Sequence, residues 1–473
     1  MRTEHCDCLV VGSGPAGLSA AIFAAAGGLK VMLTEALEEI GGTLRVATGQ
    51  MSGAGTSLQA ERGIEDHPDA HYEDVMRITR GSAHPLMARK AVDLAPETIE
   101  WLRGLDFEFH PDCPAIVFNH EPYSRPRTYW GVDKGRSIIK AIEPVLRQWC
   151  EAGRIDLRLR TRMVDLQSAG PDRVGAVLVE RADGLRTTVQ ADQIVLATGG
   201  YAGNPRLFAQ LNGRPLYGPM HPMASGDGFE AATRIGAGQW CAEHFLPSMG
   251  GFEVSPGSQR VEWGERPQLT PQLRAPWEIF VDRRGARFIA EDDPSIDRRE
   301  HAVAALDDLC FWIVFDAAIA AAAPPLFPQW PAGRMGSLFG THHAFVQADS
   351  VEALARACGI DAAGLQATID RYNEALAASA SDPLGRQHRP RPIASPPYYA
   401  IRNHGVSIKG AAGLRIDPDF HVLRESGDRI QNLRAIGEVI GGGLLSGHAY
   451  VGGMSITPAL GFGRALGRAL AAR

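Results

Sequence analysis

The chain has 473 residues, is 45% hydrophobic and 22% charged, and carries a formal net charge of -6. This length predicts two or three domains, and the mild acidity argues against a nucleic-acid surface, since domains of that kind are basic. No apolar run is long enough to span a bilayer, and seven scattered cysteines without a Cys-x-x-Cys pair predict no metal site and a reducing, cytoplasmic location.

The first elements along the chain predict a complete βαβ unit. Leu9–Val11 has the composition of a strand, Gly12–Gly17 that of a turn, and Leu18–Ala26 that of an alanine-rich helix. A second strand, Lys30–Thr34, ends in Glu35. Strand, glycine turn, helix, strand and acid in this order are typical of a dinucleotide site.

Each glycine of this Gly-x-Gly-x-x-Gly turn has a physical role. Gly12 permits the tight turn, Gly14 lets the backbone approach a pyrophosphate, and Gly17 lets helix and strand pack closely. The helix N-terminus meets the phosphate charge, and Glu35 accepts hydrogen bonds from the ribose hydroxyls. Because an acid there disfavours a phosphorylated ribose, we expect FAD or NAD rather than NADP.

The remaining elements predict a nucleotide-binding domain with an insertion. Helices are expected at Met76–Gly104 and Arg136–Gly153, and strands follow at Arg158–Leu166, Val174–Glu180, Thr187–Val189 and Gln193–Ala197. Prolines and tryptophans become more frequent after about residue 240. We therefore expect an α/β fold in which a Rossmann-like domain, residues 1–242 and 393–473, is interrupted by an inserted α+β domain at 243–392.

Three later segments favour FAD over NAD. Gly226-Asp227-Gly228 opens a helix, Gly437-Glu438 follows an apolar strand, and Ser455-Ile456-Thr457-Pro458 opens the last helix. A flavin edge becomes negative on reduction, and a helix N-terminus stabilises that charge. NAD has no such group, so the segments together predict FAD.

Together these motifs resemble the fumarate reductase/succinate dehydrogenase flavoprotein family, which includes the ketosteroid and tricarballylate dehydrogenases. The motifs, which cover nearly the whole chain, are Gly12–Gly17, Glu35, Gly41-Gly42-Thr43, Leu196–Gly200, Gly226–Gly228, Gly437-Glu438 and Gly452–Gly463. The resemblance implies an FAD-binding domain, a capping domain, and a small-molecule substrate bound between them at the flavin.

The resemblance also implies which residues bind FAD. Besides Gly12, Gly14 and Gly17, they are Ala16, Glu35, Ala36, Gly42, Thr43, Gly49, Val164, Thr198, Gly199, Asp227, Glu438, Ser455 and Ile456. Members that link FAD covalently use a histidine just after the Gly-Gly turn. Leu44-Arg45-Val46 stands there in this chain, so non-covalent FAD is expected.

Two predicted catalytic residues follow from the same resemblance. The family's catalytic arginine, next to an acid, is best matched by Arg299-Glu300, with Arg298 as the competing choice and a surface Arg–Glu pair as the structural alternative. Tyr450 stands where fumarate reductases place an arginine, and it resembles the tyrosine that polarises the ketone in ketosteroid dehydrogenases. Tricarballylate dehydrogenases have a similar tyrosine, and simple packing is the structural alternative. A phenol donates one hydrogen bond and cannot form a bidentate carboxylate clamp.

Two further candidates come from one predicted strand, His404–Leu414. Lys409 stands where fumarate reductases carry a substrate-binding histidine, and it either binds a carboxylate, acts as a base or is a solvated lysine. His404 lies five residues upstream and is expected on the other face unless a bulge intervenes. His244 is a weaker candidate for substrate binding.

These observations predict an FAD-dependent dehydrogenase or reductase that moves a hydride between flavin N5 and a carbon–carbon bond beside a carbonyl or carboxylate. The chain has no Cys-x-x-Cys-His haem motif and no second nucleotide fingerprint, so a separate electron donor or acceptor is expected. A monooxygenase, an amine oxidase and a non-catalytic FAD-binding subunit remain alternatives. The substrate, the direction and the oligomeric state stay open.

Overall fold

A computed structural model of the protein describes residues 2–170 and 172–472. The chain separates into two compact units. The first, unit 1, comprises Met1–Gly213, Met220–Phe245 and Lys409–Arg473, and the second, unit 2, comprises Arg214–Pro219 and Leu246–Ile408. Unit 1 therefore contains both ends of the sequence.

The strands lie in both units. They are β1 Arg2–Val11, β2 Val31–Thr34, β3 Met51–Ser52, β4 Thr128–Tyr129, β5 Ile155–Arg158, β6 Thr161–Ser168, β7 Val174–Arg181, β8 Arg186–Leu196, β9 Gln239–Trp240, β10 Ser248–Met249, β11 Ile279–Val281, β12 Cys310–Asp316, β13 Phe345–Ala348, β14 Tyr398–Val406, β15 Gly413–Leu414, β16 His421–Leu423 and β17 Arg429–Ala435.

The helices alternate with these strands. They are α1 Pro15–Ala26, α2 Ser57–Ala60, α3 Pro68–Ile78, α4 Pro85–Arg103, α5 Lys134–Glu151, α6 Pro205–Asn212, α7 Asp227–Arg234, α8 Ile296–Ala304, α9 Ala317–Ala322, α10 Arg334–Leu338, α11 Val351–Cys358, α12 Ala362–Ala377, α13 Gly443–Ser446 and α14 Ile456–Ala471. Short 3-10 turns lie at Gly42–Arg45, Ala242–His244, Trp263–Glu265, Asp307–Leu309 and Gly437–Ile440.

The main sheet of unit 1 has the strand order β16-β17-β8-β1-β2-β5, and β7 joins it by pairing with β8. The central strands β17, β8, β1, β2 and β5 are parallel, and Leu9 is aligned with Met32 on one side and with Ile194 on the other. Parallel strands need covered faces and apolar sequences, which matches the fully buried Leu9 and Ile194. This arrangement confirms the predicted α/β class.

Helix α1 is the first cover of this sheet, and α14 packs on α1. The approach is close because a Cβ at Gly467 would lie 2.6 Å from the Ala20 carbonyl oxygen. Alanines fill most of the buried face of α1, so two helix backbones come together with little side-chain bulk between them. The predicted βαβ unit and final helix are both present.

Five sequence-based element predictions were wrong in their extent, and one of them, the strand Arg158–Leu166, spans the break between β5 and β6. Thr187–Val189 and Gln193–Ala197 are not two strands: they belong to β8, which pairs antiparallel with β7 at one end and parallel with β1. The expected helix Met76–Gly104 is two helices, α3 and α4, because Pro85 begins a new one at its N-terminus. The expected strand His404–Leu414 is interrupted after Val406.

Unit 2 is built on an antiparallel sheet of order β10-β14-β12-β11, with β13 also pairing with β14. Strand β12 is buried along its whole length, and its aromatic and branched side chains lie in one hydrophobic core with β11, β13 and α11. Two-sided burial explains why β12 reads as a continuous apolar run. Among residues 2–170 and 172–472, no helix is both long and apolar enough to cross a membrane.

Candidate active site

A cavity opens in unit 1 at the carboxyl ends of the parallel strands. This edge of an open α/β sheet is where such folds bind nucleotides. Most of the predicted FAD-binding residues line it, namely Gly12, Gly14, Ala16, Glu35, Ala36, Gly42, Thr43, Thr198, Gly199, Asp227, Glu438, Ser455 and Ile456. These residues come from distant parts of the chain, and the sheet brings them to one wall.

The glycine turn after β1 has the geometry that its sequence predicts. Gly12 has a φ of 100°, and a Cβ there would collide with the Ala197 carbonyl oxygen. A Cβ at Gly17 would collide with the Gly12 carbonyl, so Gly17 allows α1 to pack against the turn. A Cβ at Gly14 would meet no atom within 4 Å, and the residue lines the cavity, so its backbone is open to a ligand.

Glu35, the predicted ribose-binding residue, lines this cavity. Its Oε2 accepts hydrogen bonds from the Ser13 backbone N–H at 2.9 Å and the Ser13 hydroxyl at 2.6 Å, and its Oε1 accepts from the Leu37 N–H at 3.0 Å. These bonds hold the carboxylate in one orientation with 7% of the residue exposed. A carboxylate has about four lone-pair sites, so Glu35 keeps acceptor capacity for ribose hydroxyls.

Two buried hydroxyls test whether this cavity fits FAD. The Oγ1 atoms of Thr34 and Thr198 have no hydrogen-bond partner among the described residues, and both residues line the cavity. Buried polar groups are normally satisfied, so a cavity with two orphaned hydroxyls suits a polar ligand. Together with the open backbone at Gly14, they fit a dinucleotide such as FAD.

Three predicted FAD residues lie outside the cavity wall. Gly17 packs α1, and Gly49 has a φ of 76° with its Cβ position filled by the backbone of Lys134 and Gly135. Val164 is absent from the lining, whereas its neighbour Met163 is present. Pairing of β6 is irregular between Met163 and Asp165, and Val164 stays a predicted FAD contact.

The cavity wall also contains residues that the sequence reasoning did not find. Arg162 lines it beside Met163 and forms an ion pair with Asp227. Pro222 and Met223 line it from the loop before α7. None of these three positions belongs to a sequence motif. The one available signal was the positive charge of Arg162, which complements the carboxylate of Asp227.

Tyr450 lies on a loop of unit 1 between α13 and α14, and the residue is 6% exposed. Its ring stacks on His120 with centroids 5.0 Å apart. The Lys409 ammonium lies 4.6 Å from the centroid of the same ring and 3.2 Å from the Ser446 hydroxyl. Tyr450 and Lys409, two of the predicted catalytic residues, are therefore direct neighbours.

His404 and Lys409 do not share the one strand that the sequence predicted, because β14 ends at Val406. His404 lies on β14 in unit 2, whereas Lys409 follows the end of that strand and belongs to unit 1. The His404 ring stacks on Tyr217 at 3.9 Å, and its Nε2 lies 4.0 Å from Glu253 Oε2. Burial, with a smaller effect of Arg402, lowers the pKa of His404 to about 3, so this imidazole is neutral at physiological pH.

Arg299 lies on α8 in unit 2 and is almost fully buried. Its Nη2 donates to the Leu269 carbonyl and lies 3.4 Å from the Met249 sulfur, while its Nε has no partner among the described residues. Burial lowers the pKa of Arg299 to about 10. Arg298, the competing choice, is exposed and pairs with Asp293 at 2.7 Å, which is the geometry of a surface ion pair.

Glu300 is buried beside Arg299. Burial raises the pKa of its carboxyl to about 8, and Arg266 and a hydrogen bond with Ser248 oppose that shift. The lowered pKa of Arg299 and the raised pKa of Glu300 make the proton affinities of these two neighbouring groups more similar. The pair therefore differs from a surface Arg–Glu pair, which was the structural alternative for this motif.

His244 lies in unit 1, near α13. Its Nδ1 is 3.2 Å from the Gly443 carbonyl, and its ring lies 4.3 Å from that of His448. His448 is two residues before Tyr450 on the same loop. His244 thus belongs to the surroundings of the Tyr450 loop.

Comparison with known proteins places the whole chain among flavoproteins. The family model described as FAD binding domain matches residues 7–456. An NADH:fumarate oxidoreductase of Klebsiella pneumoniae (strain 342) is 29% identical over 99% of this chain. The chain spans about half of that protein, 48% of its length.

Two other similarities extend along most of both partners. A 4-oxocyclohex-2-ene-1-carboxylate 5-dehydrogenase of Sinomonas cyclohexanicum is 27% identical over 99% of this chain and 94% of its own length. The open conformation of a flavocytochrome c3 fumarate reductase matches at 25% identity and a TM-score of 0.72, over 99% of this chain and 78% of that one. The similarity therefore includes both compact units.

Proposed function

The chain belongs to the FAD binding domain family, and from that premise we propose that it is an FAD-dependent oxidoreductase that adds or removes hydrogen across a carbon–carbon bond beside a carbonyl. Its cofactor is FAD, which supplies the hydride donor or acceptor when bound. Proteins named as a fumarate oxidoreductase and as an oxocyclohexene carboxylate dehydrogenase support this reaction class. The residues of this chain support a carbonyl as the activating group.

Tyr450 is the observation that carries the proposal. A carbonyl next to the reacting bond gathers negative charge on its oxygen as hydrogen is transferred, and a positioned donor stabilises that charge. The Tyr450 phenol is one such donor, held against His120 and Lys409. Because a phenol carries no charge and donates a single hydrogen bond, it suits a ketone oxygen better than a dicarboxylate such as fumarate.

Arg299 is the residue to which we assign proton exchange with the substrate carbon. Catalytic acids and bases work best when their pKa approaches the operating pH, and burial lowers the pKa of Arg299 to about 10. Its Nε has no partner among the described residues, and its Nη2 is fixed by the Leu269 carbonyl. Arg299 thus has a fixed orientation and an unsatisfied N–H.

Three further points complete the proposal. FAD is non-covalent, since Leu44, Arg45 and Val46 stand after the Gly-Gly turn and offer no histidine for a covalent link. The electron donor or acceptor is a separate carrier. The location is a reducing one, the cytoplasm, which the unpaired state of the seven cysteines supports.

Anaerobic half-reactions of the purified FAD holoenzyme test the proposal. The photoreduced enzyme is expected to be reoxidised by enones, and the oxidised enzyme to be reduced by the matching saturated ketones, as read from the visible flavin absorbance. A flavin that responds to neither class contradicts the proposal. Oxygen consumption coupled to NAD(P)H or an amine would indicate a monooxygenase or amine oxidase instead.

A further inference from the structure

We propose that Arg162 forms the wall of the cavity beside the adenine of FAD, and that Asp227 holds the Arg162 guanidinium in that position. The inference depends on FAD as the cofactor and not on the reaction proposed above, so either can fail without the other. It gives a role to Arg162, a cavity residue that belongs to no sequence motif. It also predicts that this ion pair controls how fast FAD leaves the protein.

The first support is the position of Arg162 at the Glu35 end of the cavity. The Thr161 backbone N–H donates to the Glu35 carbonyl at 2.7 Å. The Arg160 N–H donates to the Leu37 carbonyl at 2.8 Å, so β6 begins along the segment that carries the predicted ribose-binding carboxylate. Arg162 follows directly and lines the cavity. Because adenine is attached to the ribose, the residues around Glu35 are those that meet the adenine.

The second support is the ion pair that holds Arg162. Its Nη1 donates to Oδ2 of Asp227, the first residue of α7, and both residues line the cavity. Near the other end of α7, Arg234 donates to the Asp165 carboxylate at 3.1 Å and to the Val164 carbonyl at 3.2 Å. Helix α7 is thus tied to β6 at both ends, and this double connection keeps the guanidinium on the cavity wall.

The third support is the exposure of the pair. The side chains of Arg162 and Asp227 are 43% and 31% exposed, and ion pairs at such exposure add little to the stability of a fold. The neighbouring Met163, by contrast, is 4% exposed and belongs to the buried core. The Arg162–Asp227 pair is therefore better explained by its effect on a ligand in the cavity than by its effect on the fold.

The fourth support is the chemistry of the guanidinium group. A guanidinium is planar and stacks on the faces of aromatic rings, and the attraction of a cation to such a ring strengthens the contact. An ion pair formed in the plane of the guanidinium restrains this plane and does not occupy its faces. Arg162 held by Asp227 is therefore suited to the flat face of adenine, whereas a lysine is a point charge without a flat face.

The experiment dilutes the FAD holoenzyme until FAD dissociates and follows release by the rise in flavin fluorescence. Arg162→Met is expected to release FAD about three- to thirtyfold faster, the range for loss of a contact between a cation and a ring. Arg162→Lys should release FAD nearly as fast as Arg162→Met, because it keeps the charge and loses the flat face. Arg160→Met removes an exposed arginine that pairs with Glu38 and, as the matched control, should release FAD at the wild-type rate. Wild-type release from Arg162→Met, or full recovery in Arg162→Lys, overturns the inference.

Competition at the same dilution identifies the half of FAD that Arg162 meets, since ADP and FMN each compete with the rebinding of FAD. Arg162→Met should weaken ADP by about the same three- to thirtyfold factor and leave FMN unchanged, and an equal loss for both ligands overturns the inference. Asp227→Asn should weaken ADP as well. The double variant should bind ADP no more weakly than Arg162→Met alone, because Asp227 acts through Arg162. Losses that add in the double variant would overturn the holding role of Asp227.

Discussion

The hydroxyl of Tyr123 donates a hydrogen bond of 2.5 Å to the carbonyl of Gly452, two residues after Tyr450. Tyr123 is buried, and its ring stacks edge-on against His71. The same loop is held at Gly453, which has a φ of 74° and whose Cβ would collide with the Ser52 backbone. The loop is thus fixed in place before a substrate binds, which is the condition for a precise hydrogen-bond donor.

Tyr123→Phe is therefore expected to lower kcat about three- to thirtyfold, since loss of roughly 1 kcal/mol of hydrogen bonding lets the Tyr450 loop shift. Tyr129→Phe is the matched control, because the Tyr129 hydroxyl bonds to Thr56 at 2.6 Å and not to this loop. Both variants should lose similar thermal stability. Equal loss of kcat in the two would mean that Tyr123 has only a general structural role.

Tyr450→Phe tests the carbonyl donor itself. Removal of one preorganised donor costs on the order of a hundred- to a thousandfold in kcat, so turnover of enones should fall by that factor with little change in FAD content. Tyr72→Phe removes a hydroxyl from α3, where the ring lies against Arg89, and should leave turnover unchanged. Normal turnover in Tyr450→Phe would exclude the tyrosine from the reaction.

The same substitution at Arg299 and at Arg298 distinguishes which of the two arginines takes part in the reaction. Arg299→Gln should reduce turnover by about a hundred- to ten-thousandfold, the range for loss of a general acid or base, whereas Arg298→Gln should change it less than about twofold, as for surface ion pairs. Since ene reduction uses protonated Arg299 and burial lowers its pKa to about 10, the wild-type rate should decline as pH rises through that value. The reverse order of the two variants would assign the role to Arg298.

Glu300 should give the protein a measurable dependence of stability on pH. Burial raises its pKa from 4.5 to about 8, so between these values the folded protein keeps a proton that the unfolded chain releases. The contribution is present below pH 4.5 and is lost as pH rises towards 8, at up to roughly 1.4 kcal/mol per pH unit.

Thermal unfolding of Glu300→Gln across this window is the measurement. The amide stays neutral, so the variant should lack the decline and be more stable than wild type near pH 8. Glu262→Gln, an exposed position that pairs with Arg260, should follow the wild-type curve. A Glu300→Gln protein with the wild-type slope would show that another group titrates.

Glu35→Gln is expected to weaken FAD binding about ten- to a hundredfold, since hydrogen bonds to a charged acceptor are among the stronger ones. Equilibrium dialysis of FAD against the refolded apoprotein measures the affinity. Glu38→Gln lies three residues away, exposed and paired with Arg160, and should bind FAD as wild type does. An unchanged affinity of Glu35→Gln for FAD would show that the Glu35 carboxylate does not bind the ribose.

Sequence reasoning was most successful where structure depends on neighbouring residues. The order of the βαβ unit from β1 to Glu35 was predicted, although β1 begins at Arg2, seven residues before the predicted strand. A glycine turn between a strand and a helix is defined by backbone conformations within one short segment. The FAD family was identified from several such segments in order, and comparison with known proteins confirms it. The FAD contact of Val164 on β6 stays a prediction, since the cavity is lined by its neighbours Arg162 and Met163.

The sequence by itself determined the α/β class, the glycine turn and the choice of FAD, since all three follow from short segments whose backbone geometry is local. Only the tertiary structure decided that His404 and Lys409 lie in different units. The strand β14 ends at Val406, where its pairing with β10 ends, and this end cannot be recognised from the sequence of β14 alone. The tertiary structure also decided that Tyr123 holds the loop of Tyr450, a contact between residues 329 positions apart. Such contacts depend on how distant segments pack, and no spacing within the chain encodes them.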